Sequence, residues 1–109
     1  MTIKPVVLRH RARQDVDDAL AHLVSQGAPA AALAFIDRLE QGLVHVGRHP
    51  ATGSTRYAHE LDLPGLRSWR IRRHPYLIFY VEQPDHIDVW RILHGSQDIP
   101  RWMQGSDQV

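Results

Sequence analysis

The last third of the chain has the hydrophobic pattern of β-strands. Three runs rich in β-branched and aromatic residues cover positions 68–73, 77–81 and 87–93, and turn residues separate them at His74-Pro75 and Pro84-Asp85. Runs of this length joined by short turns are typical of an antiparallel meander. We therefore predict three strands, each hydrogen-bonded to the next.

Arginines lie inside two of these runs, and their spacing predicts how the two faces of the sheet differ. A three-residue loop over 74–76 would pair Ile71 with Phe79 and separate apolar from charged side chains, whereas a two-residue loop would mix them. The core face would then carry Trp69, Ile71, Leu77, Phe79, Val81, Trp90 and Ile92. The opposite face, which we call the arginine face, would carry Arg70, Arg72, Ile78, Tyr80, Ile87, Val89 and Arg91. This pattern indicates that the arginine face has a role other than packing in the core.

The first two thirds of the chain have helical periodicity after one short strand. Residues 3–8 predict an edge strand, because Pro5 cannot donate to a sheet ladder. Apolar residues recur at helical spacing over 12–24 and again over 30–47, and Gly27-Ala28-Pro29 interrupts the pattern. A polar connection follows over 54–64, and a short turn is expected over 98–103.

The resulting element order, β-α-α-β-β-β, predicts an α+β fold. A helical hairpin would pack on one face of a mainly antiparallel sheet of about four strands. The 109 residues suffice for one domain, which we place at 1–103, and the polar end at 104–109 predicts a flexible tail.

Composition limits the chemistry that the chain can perform. There is no cysteine, which excludes disulfides, thiol catalysis and cysteine-ligated zinc and fits the reducing cytoplasm. No apolar run approaches the roughly 20 residues of a membrane span. The formal net charge is only +1, so we do not expect direct binding of nucleic acid.

Short motifs occur in an order that resembles the RelE/ParE superfamily of bacterial toxins, and the ParE branch most closely. They are ARQDVDD at 12–18, FIDRL at 35–39, HPATG at 49–53, LPGLR at 63–67, LIFY at 77–80 and VWRILHG at 89–95. Two segments depart from the family pattern. Ser96-Gln97-Asp98 stands where basic residues usually follow the glycine, and Arg73-His74-Pro75-Tyr76 lacks the glycine that often precedes the tyrosine.

The resemblance implies a toxin of a type II toxin–antitoxin module. A ParE-like toxin would be a protein inhibitor rather than an enzyme, binding DNA gyrase and stalling it on cleaved DNA. A ParD-like antitoxin would neutralise it in a toxin–antitoxin hetero-oligomer. Two alternatives stay open: a RelE-like endoribonuclease that cuts mRNA on the ribosome, and a relative that binds its antitoxin without being toxic.

The candidate binding residues lie on or near the arginine face. They are Arg70, Arg72, Arg73, Tyr80, Arg91 and His94. Guanidinium groups and a tyrosine ring can bind an acidic, partly apolar peptide, whereas Arg70, Tyr80, Arg91 and His94 would be the catalytic set of a nuclease. Because no acid–base pair is obvious, binding is the favoured interpretation. A simpler role for His94 is a hydrogen bond to the turn that follows it.

Two clusters raise the question of a metal ion. His45 and His49 are spaced for chelation on a helix, but no third ligand has matching spacing. Asp15, Asp17 and Asp18 diverge around their helix, and stabilisation of the helix dipole explains them more simply. The sequence therefore predicts no metal site and no cofactor.

Overall fold

The predicted α+β fold is confirmed by the computed structural model, which describes residues 3–104. A four-stranded sheet has the order β1-β4-β3-β2, in which β1 pairs parallel with β4 and the other neighbours are antiparallel. The elements are β1 (Val6–Leu8), α1 (His10–Ser25), α2 (Pro29–Arg48), a 3₁₀ turn (Pro50–Thr52), α3 (Arg56–Glu60), β2 (Leu66–Arg70), β3 (Tyr76–Glu82), β4 (Ile87–His94) and α4 (Ile99–Trp102).

The helical hairpin matches the periodicity closely. Gly27 has a φ of 71°, a conformation that glycine adopts without strain, and Pro29 opens α2, where a missing N–H costs nothing. Phe35, Leu39 and Val46 form the buried stripe of α2 against the sheet. Helix α1 begins at His10, two residues earlier than the pattern indicates.

The pairing of β2 with β3 differs from the prediction. Arg70 lies opposite Leu77 and Trp69 opposite Ile78, so the expected pairing of Ile71 with Phe79 is wrong. The Ile71 N–H donates to the Tyr76 carbonyl at 2.9 Å, which makes the loop four residues long, 72–75. The chain turns there because Arg73 adopts a φ of 65°, a left-handed conformation that local sequence did not indicate.

The pairing of β3 with β4 also differs from the prediction. A register shift between Phe79 and Tyr80 exchanges the two faces of the sheet for the residues of β4 that follow Val89. Tyr80 pairs with Val89 but Phe79 pairs with Arg91, which leaves Trp90 as the extra residue of a β-bulge. The predicted two-residue turn at Pro84-Asp85 is present, since the Gln83 N–H donates to the His86 carbonyl at 2.8 Å. After that turn, however, Trp90 lies on the side away from the helical hairpin.

Both faces of the sheet are covered, so the arginine face does not exist as one open surface. The core beneath the helical hairpin contains Ala12, Ala19, Phe35, Leu39, Val46, Ile71, Ile78, Tyr80, Ile87, Val89 and Ile92. A second core on the opposite face contains Leu66, Phe79, Trp90, Leu93, Ile99 and Met103, with Tyr57, Ala58, Leu61, Leu63, Leu77 and Val81 packed against it. Ile78, Tyr80, Ile87 and Val89 were expected on the arginine face but lie in the first core.

The second core is covered by segments that the pattern left almost unstructured. Residues 54–64 contain α3, and the turn expected over 98–103 is α4. Of the predicted tail, 104–109, all but Gln104 lies outside the described residues. Across residues 3–104, no helix has the length and apolar character needed to span a membrane.

Candidate functional site

Arg91 is an internal residue that holds three elements together. Its Nε and Nη2 donate to the two carboxylate oxygens of Asp15 on α1, both at 2.8 Å, and its Nη1 donates to the Trp102 carbonyl on α4. The side chains of Arg91 and Asp15 are 3% and 9% exposed. A bidentate pair this well buried makes Arg91 a structural residue, and its guanidinium does not face a partner.

The position of Asp15 explains why an arginine is buried here. Strand β1 pairs only with the first residues of β4, Ile87 to Val89, so the outer edge of β4 is open beyond that point. The Ile92 N–H on that edge donates to Asp15 Oδ2 at 2.9 Å. The carboxylate thus accepts a backbone hydrogen bond that the carbonyl of a neighbouring strand would otherwise accept. Because α1 begins at His10, Asp15, Asp17 and Asp18 all lie beyond the first turn, and the explanation by the helix dipole is wrong.

Tyr80 is likewise internal. The Tyr80 hydroxyl donates to the Pro50 carbonyl at 2.7 Å and accepts from the Gly53 N–H at 3.1 Å. A Cβ at position 53 would lie 2.3 Å from that hydroxyl oxygen, which is why glycine occupies the site. Burial raises the pKa of Tyr80, so the phenol keeps its proton and anchors the 3₁₀ turn rather than shuttling protons.

Arg70 and His94 do come together, in an open groove on the second face of the sheet. The groove has a volume of about 540 Å³ and lies between α3, β2 and the turn after β4. It is lined by Ser54, Arg56, Tyr57, Ser68, Arg70, Pro75, Leu77, His94, Gly95 and Ser96. We call it the Arg70 groove.

Arg70 is an exposed cation of this groove. Its side chain has no hydrogen bond or ion pair within residues 3–104, whereas Arg56 pairs with Glu60 at 3.1 Å. The Arg56 guanidinium also lies 5.2 Å from the centre of the Tyr57 ring. An unpaired guanidinium beside an aromatic ring and Leu77 fits a carboxylate or another anion that carries apolar groups.

His94 performs the simpler role considered from sequence. Its Nδ1 accepts from the Ser96 N–H at 3.0 Å and lies 2.6 Å from the Ser96 hydroxyl oxygen. Its ring also packs edge-on against Tyr76, with 5.1 Å between ring centres. The turn therefore fixes the imidazole at the rim of the groove through one of its two nitrogens.

The remaining candidates, Arg72 and Arg73, lie exposed in the loop between β2 and β3 and do not line the groove. The six candidates are thus divided among a groove, a loop and the interior.

Sequence reasoning missed Arg56 and Tyr57. The apolar positions Tyr57, Ala58 and Leu61 have helical spacing and could have indicated α3. Within residues 3–104, no three histidine or carboxylate side chains cluster as metal ligands.

Comparison with known proteins places this architecture in a family. A family model described as "ParE toxin of type II toxin-antitoxin system, parDE" matches residues 6–99. The chain belongs to this ParE toxin family and is a type II toxin. The matched range begins with β1 and reaches the start of α4, so it includes the Arg70 groove and the buried pair.

The fold of the toxin is also found in a solved structure. A chain described as "Chromosomal ParDE TA system from P. aeruginosa" superposes with a TM-score of 0.70 at 20% sequence identity. The alignment covers 84% of this chain and 96% of the other. Among curated proteins, none matches the toxin.

Proposed function

We propose that the toxin inhibits DNA gyrase in the cytoplasm by binding it, and that a ParD-like antitoxin neutralises the toxin in a hetero-oligomer. Residues 1–103 would act as the single functional domain. The family match supports this proposal, and so does one observation about the site. Tyr80 and Arg91, which a nuclease would need at the surface, are buried and engaged in structural contacts.

The burial of Tyr80 and Arg91 argues against RNA cleavage because of the groups that this reaction needs. Cleavage needs cations around the phosphoryl group together with groups that donate and accept protons. The Arg70 groove supplies a cation, but the Tyr80 hydroxyl lies beneath the opposite face and His94 has one nitrogen engaged by Ser96. This arrangement is better suited to binding than to proton transfer.

For the antitoxin, we propose that an acidic side chain enters the Arg70 groove. Its carboxylate would pair with the Arg70 guanidinium, and neighbouring apolar groups would pack against Tyr57 and Leu77. Truncating an arginine in a desolvated pair costs about 2–5 kcal/mol of binding free energy. Arg70→Ala should therefore weaken antitoxin binding strongly in titration calorimetry.

Arg72→Ala is the matched control, because Arg72 is equally cationic and exposed but lies outside the groove. Equal losses in both variants would indicate general electrostatic attraction. An unchanged affinity in Arg70→Ala would place the antitoxin elsewhere on the toxin. Arg91→Ala is unsuitable for this test, since its loss would disturb the fold.

A ribonuclease is the second candidate, favoured by the meeting of Arg56, Tyr57, Arg70 and His94 in one groove. Primer extension on translated messages after induction tests it. Cleavage within codons that disappears in His94→Ala would favour the nuclease, whereas intact messages would favour the inhibitor. A toxin fold that only binds its antitoxin would leave both messages and gyrase unaffected.

A further inference from the structure

We propose that His45 and His49 form a two-ligand binding site for a divalent transition metal ion such as Zn²⁺ or Ni²⁺. His45 lies in the last turn of α2, and His49 directly follows the end of that helix. They are four positions apart in the chain, which brings both rings to the same side of the helix end. The sequence spacing did not indicate a metal site, because a third ligand with matching spacing is lacking. The positions of the two rings in the structure support a site with two protein ligands.

The distance between the two rings matches chelation of one ion. Zinc–nitrogen bonds of about 2.1 Å place each imidazole centre roughly 3.2 Å from the ion, and a tetrahedral angle then separates the centres by about 5.2 Å. The centres of the His45 and His49 rings are 5.3 Å apart. The spacing of the two ring centres, whose planes lie 47° apart, therefore fits a shared ion.

Thr52 supplies the outer contact that such sites use to orient a ligand. The Thr52 hydroxyl donates its single hydrogen to the His49 carbonyl at 2.8 Å, so its oxygen is left to accept from His45 Nε2–H at 3.0 Å. This assignment leaves His45 Nδ1 with a free lone pair. A histidine ligand commonly donates its other N–H in this way, which fixes the tautomer and the ring orientation.

The remaining coordination positions would be open. In the described part of the chain, no third histidine or carboxylate completes the cluster, so water or a donor from a bound protein would fill them. Imidazole ligands suit zinc, copper and nickel rather than calcium or magnesium. The ion would fix the end of α2 to the 3₁₀ turn whose Pro50 carbonyl accepts from Tyr80.

Titration of the tag-free toxin with Zn²⁺ in a calorimeter tests the site. We expect one ion per chain and a rise in melting temperature of roughly 5 °C at free Zn²⁺ tenfold above Kd. His49→Gln should weaken binding by more than about tenfold, and Thr52→Val by about tenfold. His59→Gln is the control, because His59 is exposed on α3 and makes no hydrogen bond or ring contact with His45, His49 or Thr52.

A fluorescence measurement tests metal binding without relying on a change in the stability of the toxin. The His45 ring stacks on Trp69, with 4.1 Å between ring centres, so bound Cu²⁺ should quench Trp69 fluorescence. Quenching that is lost in His49→Gln and retained in His59→Gln would support the proposal. Zn²⁺ affinity equal in His49→Gln and the unaltered toxin, or quenching unaffected by that substitution, would overturn it.

Discussion

Single residues in this toxin show why charge in a strand does not by itself indicate an exposed face. Arg91 was expected at the surface, but Asp15 compensates its charge from 76 positions away in the chain. That partner cannot be found from local sequence, because the pairing depends on α1 lying along the open edge of β4. Arg70, in contrast, has no such partner in the part of the chain that the structure describes, and its side chain lies exposed in the Arg70 groove.

The buried pair gives the first prediction. Removing one member leaves an uncompensated charge, so Arg91→Ala or Asp15→Asn should lower the free energy of unfolding by about 3–5 kcal/mol. Replacing both residues by apolar ones of similar size, as in Arg91→Met with Asp15→Leu, should cost less than either single change. Urea denaturation measures all three values. Glu60→Gln, which breaks the exposed pair with Arg56, is the control and should leave the midpoint nearly unchanged.

The hydroxyl of Tyr80 gives the second prediction. Tyr80→Phe leaves the Gly53 N–H and the Pro50 carbonyl without their partner, which should cost about 1–3 kcal/mol of stability. Tyr76→Phe is the matched control, because no hydrogen bond of the Tyr76 hydroxyl is present within residues 3–104. Equal thermal stability of the two variants would contradict the structural role assigned to Tyr80.

At the scale of elements, periodicity predicted what depends on local sequence. The two long helices and the turn at Pro84-Asp85 lie where the pattern placed them, because their spacing and turn residues are local signals. The loop at Arg73 and the bulge at Trp90 were missed. The loop sets the register of β2 against β3 and the bulge sets that of β3 against β4, and either one alone moves side chains to the opposite face.

The presence of two cores gives the third prediction. Phe35 on α2 lies in the core between the helical hairpin and the sheet, Phe79 lies on the other side of the sheet, and both are fully buried. Phe35→Ala and Phe79→Ala should each cost about 3–5 kcal/mol in chemical denaturation. Leu33→Ala should cost little, because the Leu33 side chain is 71% exposed. A Phe79→Ala variant as stable as Leu33→Ala would show that α3 and α4 do not form a second core.

At the scale of the whole molecule, the second core covers a sheet face that was expected to be open. Segments 54–64 and 98–103 contribute the residues that cover this face, and the Arg70 groove stays open beside them. The fold class and the family resemblance followed from the sequence and are confirmed. The residues that line the groove could not be predicted from the sequence, because Arg56 and Tyr57 lie on α3, in a segment that was predicted to be a polar connection.

We propose that the toxin acts on gyrase by binding it, without cutting RNA. A supercoiling assay with purified gyrase, ATP and relaxed plasmid tests this, with the toxin added alone or after incubation with its antitoxin. We expect the free toxin to abolish supercoiling and to cause linear DNA to accumulate, and the antitoxin to restore activity. Unimpaired supercoiling at excess folded toxin, with messages cleaved in cells that express it, would overturn the proposal.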